Sequence, residues 1–169
     1  MPTGFLCKTC GEYHNELPLC FGPSAPALWF SIPESERERR CSLSTDQCIV
    51  DEEYYFVLGR LEIPIVGQEN AFTWLAWVSL SEKSFDRASS LWNKEGRESE
   101  PPYFGWLSSS LPYEPTTMNL KVNLHTCPVG ERPYIEIQEC NHPLYQLQNS
   151  GMQITEAQQL AERLLHGAP

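Results

Sequence analysis

The side chains best spaced for chemistry lie near the start, in Phe5-Leu6-Cys7-Lys8-Thr9-Cys10-Gly11-Glu12-Tyr13-His14. Two Cys separated by two residues and followed by Gly form a tight knuckle whose backbone N–H groups can face both thiolates. Zinc favours such a half-site, completing it to four nitrogen or sulfur ligands in a tetrahedron. A redox Cys-x-x-Cys opens a helix in a βαβ setting, and none is legible here. Haem attachment needs His directly after the second Cys, where this chain has Gly11. Zinc is the remaining reading, with Cys7 and Cys10 as half a site. The other half comes from His14, Cys20, Cys41, Cys48 or a residue farther along. His14 stands close enough to form a third corner. Cys48 would tie the N-terminal segment to the body of the fold. Cys20 and Cys41 read as small buried residues, as free Cys often are. Cys48, between Asp46 and the apolar pair Ile49-Val50, is open to both readings.

Four further residues are candidates for a ligand or partner surface. Arg60 and Glu62 lie two apart in an otherwise apolar strand, so they share a face and must be paired or wet. A rim salt bridge is the plain expectation and a ligand-facing pair the sharper one. Trp106 belongs to the aromatic run Tyr103-Phe104-Gly105-Trp106-Leu107, which reads as a short strand able to line a pocket. His142 sits in the turn Asn141-His142-Pro143, exposed enough to serve as ligand or general base, although no Ser or Cys nucleophile stands with it in a known motif.

The elements that must position these residues are organised around residues 48–81. Two aromatic and β-branched runs flank the turn Gly67-Gln68-Glu69-Asn70, a hairpin signal. Phe72, Trp74, Ala76, Val78 and Leu80 share one face of the second run, while Leu75 and Trp77 occupy the other, so the strand is expected to be covered on both sides. Residues 17–30, with Pro18, Pro23 and Pro26, read as an extended surface loop. Residues 33–40 form a short helix with early acids and late arginines. Ser81 caps a helix through Trp92, with Gly96 as its stop. Residues 118–125 and 133–138 alternate cleanly and form a second hairpin. The chain closes in an amphipathic helix with a Thr155-x-x-Gln158 capping box and a stripe of Ala157, Leu160, Ala161, Leu164 and Leu165.

The expected architecture is a single α+β domain over 1–169: a mainly antiparallel sheet with two packed helices and an N-terminal zinc-knuckle-like flap. Residues 1–48 supply the zinc-knuckle-like segment and a loop, and 49–169 the α+β body. Trp92 and Leu164 are expected to be buried on the sheet.

A hydrophobic fraction of 41% with five Trp excludes a disordered chain. No apolar run reaches the roughly 20 residues that span a bilayer. The start lacks a basic, apolar leader, which makes the cytoplasm the default location. Seven Cys, an odd number, then point to reduced thiols or a metal rather than a disulfide framework. A net charge of −10 argues against a nucleic-acid surface and would suit a basic protein partner, while also simply serving solubility.

Several stretches occur together in order: Cys7-x-x-Cys10-Gly11-Glu12-x-His14, Asp46-Gln47-Cys48-Ile49, Gly59-x-Leu61-Glu62-Ile63-Pro64-Ile65, Trp77-Val78-Ser79, Gly96-Arg97, Leu120-Lys121 and His142-Pro143-Leu144. This ordered set resembles the uncharacterised bacterial family catalogued as domain of unknown function 2199, over almost the whole chain. The resemblance implies a stand-alone bacterial domain with no assigned activity. Its pattern includes Cys7, Cys10, His14 and Cys48, which favours those four as the ligands of a structural zinc; Cys20, Cys41, Cys127 and Cys140 fall outside it.

Two functional classes follow. Four protein ligands leave the zinc no position for a water, and the domain is then a protein-binding or regulatory module. If His14 is absent from the metal, the open position makes a metal-dependent hydrolase the alternative, with His142 or Glu62 as base.

Overall fold

The computed structural model describes residues 4–7, 11–14 and 17–166. Strands β1 (Phe5–Leu6) and β2 (Tyr13–His14) form a small antiparallel hairpin of their own. After them come β3 (Cys20–Phe21), α1 (Ala27–Ser31), α2 (Glu34–Arg40), β4 (Cys41–Leu43) and β5 (Gln47–Val50). The long pair β6 (Tyr54–Ile63) and β7 (Phe72–Leu80) leads into α3 (Glu82–Ser90) and β8 (Tyr103–Leu107). Strands β9 (Lys121–His125) and β10 (Tyr134–Ile137) precede the final helices α4 (Pro143–Ser150) and α5 (Ile154–His166).

The two hairpins expected from the sequence are present, β6 with β7 and β9 with β10, both antiparallel. The mixture of sheet and helix is α+β. The sheet itself corrects the expectation. Its order is β3-β7-β8-β9-β10-β6-β5-β4 with β6 also bonded to β7, so β6 to β10 close into a five-stranded barrel. Two contacts, β10 with β6 and β3 with β7, are parallel. The reason lies in β6, which is long enough to serve two neighbours on one edge. Its residues 54–57 pair with β5, whereas Arg60 meets Tyr134 of β10. Periodicity reveals which face of a strand is buried but not which strand lies beside it.

The β6–β7 pair is covered on both faces, as its pattern requires. Phe72, Trp74, Ala76, Val78 and Leu80 join the main core with Leu61, Ile63, Val122, Leu124, Ile135 and Ile137. On the opposite face Trp77, Phe56 and Leu58 pack with Cys48, Val50 and Ile32 beneath Leu28 and Trp29 of α1. The segment read as a plain surface loop therefore holds β3 and α1, and Ala25 within it is fully buried.

Ser81 caps α3 as expected, its hydroxyl accepting from the Ser84 N–H at 3.1 Å. Phe85 anchors this helix in the core, and Leu164 of α5 packs against the same core half-buried. Trp92 departs from expectation at 46% exposed. The helix ends at Ser90, short of Trp92, and the preceding Leu91 is the residue that is buried there.

Candidate metal centre

The β1–β2 hairpin has a knuckle. The Cys7 N–H donates to the Glu12 carbonyl at 2.9 Å, and the Gly11 N–H donates back to the Cys7 carbonyl at 2.9 Å. Gly11 makes this turn at φ 77°, in the left-handed region where only Gly is unstrained. The register sets Phe5 opposite His14, and their rings stack at 5.1 Å with 27° between planes. That contact fixes one imidazole beside the buried Cys7.

The third member comes from the far end of the chain. His166 ends α5, and its Nε2 lies 3.1 Å from the Cys7 Sγ. The His14 and His166 rings are 5.8 Å apart. One ligand atom from each of Cys7, His14 and His166 lies within 4.8 Å of the others. A tetrahedral zinc with Zn–S near 2.3 Å and Zn–N near 2.05 Å has ligand–ligand edges of about 3.4–3.8 Å. The cluster is thus of a size a small adjustment would bring onto one ion, and thiolate plus imidazole is a zinc donor set. A thiol–imidazole hydrogen bond accounts for the Cys7–His166 contact, and the β1–β2 register with the Phe5 stack brings the second imidazole beside it, so the three form a cluster that could hold a metal ion.

Of the four residues expected to hold the metal, Cys7 and His14 are brought together, and Cys10 lies outside the described residues. Cys48 is placed elsewhere and is not a member of the group. It is fully buried on β5, pairs in register with Phe56 and Leu43, and packs with Val50, Phe56, Leu58 and Trp77. Burial, with a lesser contribution from Cys41, pushes its thiol up to about 12. The reason is strand alternation, which sends Cys48 and Val50 together into the apolar layer. His166 was missed because a His in the last helical turn looks like an ordinary complement to the helix dipole.

The four surface candidates do not converge on one site. Arg60 and Glu62 form an ion pair, as their shared face requires; Arg60 also donates to the Arg132 carbonyl at 3.2 Å and to the Cys127 sulfur at 3.4 Å. Trp106 stands 39% exposed on β8, edge-on to Phe104 at 5.2 Å, with Lys121 Nζ 5.9 Å above its ring. His142 corrects the expectation of an exposed loop histidine. It is only 6% exposed and is the N-cap of α4, its Nδ1 accepting from the Leu144 N–H at 3.0 Å. Nε2 then carries the proton and donates to the Pro115 carbonyl at 2.6 Å. Both ring nitrogens are committed to holding backbone. Pro143, taken as a turn residue, is instead the first residue of a helix, where its missing N–H costs nothing.

Among the described residues no helix is long and apolar enough to cross a membrane. The family model described as an uncharacterized protein conserved in bacteria, DUF2199, matches residues 6–152. That span includes the knuckle and the barrel but stops before His166. No curated protein matches the chain, and no solved structure does.

Proposed function

This chain belongs to the bacterial DUF2199 family, and we propose that within it the chain is a protein-binding or regulatory module stapled by a structural zinc. The ligands in this reading are Cys7, His14 and His166, with Cys10 of the same knuckle as the fourth. The carrying observation is that two imidazoles and a buried thiol, from a hairpin and from the last turn of a helix 159 residues away, share one 4.8 Å cluster. Four such ligands close the shell, so the ion would clasp the N-terminal hairpin to α5 rather than activate water.

The binding role rests on other grounds. The bases a hydrolase would use are otherwise engaged, His142 by Leu144 and Pro115 and Glu62 by Arg60. The net charge of −10 suits a basic protein partner. Elemental analysis of the whole chain is expected to find one zinc per molecule, lost in Cys7→Ser and in His166→Ala and kept in Cys48→Ala. Stripping the metal is expected to lower Tm by about 5 °C, roughly 2 kcal/mol for a chain of this length. A metal-free protein whose melting is indifferent to these substitutions overturns the zinc. Repeated capture experiments in a bacterial lysate that yield no salt-sensitive basic partner overturn the binding role.

A further inference from the structure

A cleft of about 580 Å³ opens between β6, the end of α3 and the loop joining β9 to β10. That volume is in the range of small-molecule sites. Trp92, Tyr103 and Leu124 give it an apolar, aromatic wall. Its charge departs from that of the chain. Three of the twelve Lys and Arg residues, Arg60, Arg97 and Arg132, line it, against only two acids, Asp46 and Glu131. With Glu62 paired to Arg60 behind the wall, the hollow is close to neutral in a chain of −10, which makes it less repulsive to an anion than the average of the surface.

The three guanidiniums have distinct tasks. Arg97 donates to four backbone carbonyls, those of Cys127, Trp92, Pro128 and Glu131, at 2.7–3.0 Å. It holds the wall in shape and has little left to offer a ligand. Arg132 is oriented through its Nε, which donates to Asp46 Oδ1 at 2.7 Å. Both its Nη groups are without a protein hydrogen-bond partner among the described residues. Arg60 is anchored beside it by the Arg132 carbonyl, Glu62 and the Cys127 sulfur, so it shapes the cleft rather than gripping a ligand. A pre-oriented fork with free Nη groups is the geometry that grips a planar or tetrahedral anionic group in two places.

We propose that this cleft binds a small amphipathic organic anion, its acidic group on the Nη groups of Arg132 and its apolar ring against Trp92, Tyr103 and Leu124. The site is separate from the zinc cluster and stands or falls independently of it. The probe is 8-anilinonaphthalene-1-sulfonate, with N-phenyl-1-naphthylamine as the same apolar body lacking the charge. On the folded full chain the sulfonate is expected to bind saturably at one site. Arg132→Gln is expected to weaken it about ten-fold, the loss for one charge-assisted pair, and to leave the neutral amine within about two-fold. Cys127 lines the same cleft and supplies a readout on the unaltered protein. Its alkylation by iodoacetamide, followed by peptide mass mapping, is expected to slow at least about three-fold when the sulfonate saturates the site. Sulfonate binding that is absent, or that leaves Cys127 unprotected, overturns the proposal. So does equal weakening of both probes by Arg132→Gln.

Discussion

Two thiols of the same chain face opposite fates, and their surroundings explain why. Cys7 lies buried against two imidazoles, which can take up or share charge. Cys48 lies among aliphatic and aromatic side chains, where a thiolate would be stranded, and its ionisation is pushed up to about 12. Because the thiolate is the nucleophile, Cys48 is expected to resist iodoacetamide at pH 8 until the protein is denatured, while Cys20, exposed on the short β3 rather than buried as its type suggested, reacts at once. Mass mapping of a short alkylation pulse checks this; prompt labelling of native Cys48 would place it outside the core. His142 belongs at the same scale. Replacing it by Ala removes the cap of α4 and orphans the Pro115 carbonyl, which is expected to cost about 1–2 kcal/mol of unfolding free energy and to leave the metal content of the protein as it is in the parent chain. A loss of metal in that variant would contradict the placement of His142 away from the cluster.

At the scale of elements, β9 and β10 are joined outside the barrel by a polar cross-strand cluster. Glu136 accepts from Asn123 Nδ2 at 3.2 Å and lies 3.0 Å from His125 Nε2, while Gln138 donates to Asn123 Oδ1 at 3.1 Å. The bonds from His125 first, and then Asn123, hold the Glu136 carboxyl below its ordinary value of 4.5. A depressed acid stabilises the fold fully above its unfolded-state value and loses that contribution as pH falls through the lower folded-state value. The acid limb of the stability curve, measured by urea unfolding between pH 6 and 3, is therefore expected to be shallower in Glu136→Gln. The side chain is half exposed, so solvent screening keeps the change small. A steeper limb would reverse the assigned sign.

At the scale of the whole molecule, the barrel depends on neighbouring strands coming close at each of its seams, and two glycines in mid-strand mark two of them, β7 with β8 and β6 with β10. A Cβ on Gly105 would stand 2.4 Å from Val78 Cγ1 and 2.8 Å from the Ser79 carbonyl oxygen. One on Gly59 would meet Ile135 Cγ1 at 2.8 Å and the Pro133 carbonyl oxygen at 3.1 Å. A backbone oxygen cannot step aside as a flexible side-chain tip can. Gly105→Ala is expected to destabilise by about 1–3 kcal/mol, visible as a lower urea midpoint, and Gly105→Val by more. Unchanged midpoints in both would mean that β7 and β8 can separate without cost.

What the sequence determined by itself is whatever is written in neighbouring residues. The turn that Gly11 makes, the alternation that covers β7 on both faces, the β9–β10 pair and the Ser81 cap were all legible, since each is a local pattern with a local physical cause. The shared face of Arg60 and Glu62 was legible for the same reason, and their ion pair followed. Only the tertiary structure decided how distant pieces meet. Alternation said that Cys48 belonged to one face of a strand, but not that this face is a dry core rather than the wall of a metal site. Nothing around His166 announces a partner 159 residues away, because helix docking is set by the summed packing of α5 and not by any spacing along the chain. Closure of the barrel was hidden likewise. Strand neighbours are chosen by backbone hydrogen bonds that every residue can make, and the side-chain pattern records the face a strand buries, not the strand it lies beside.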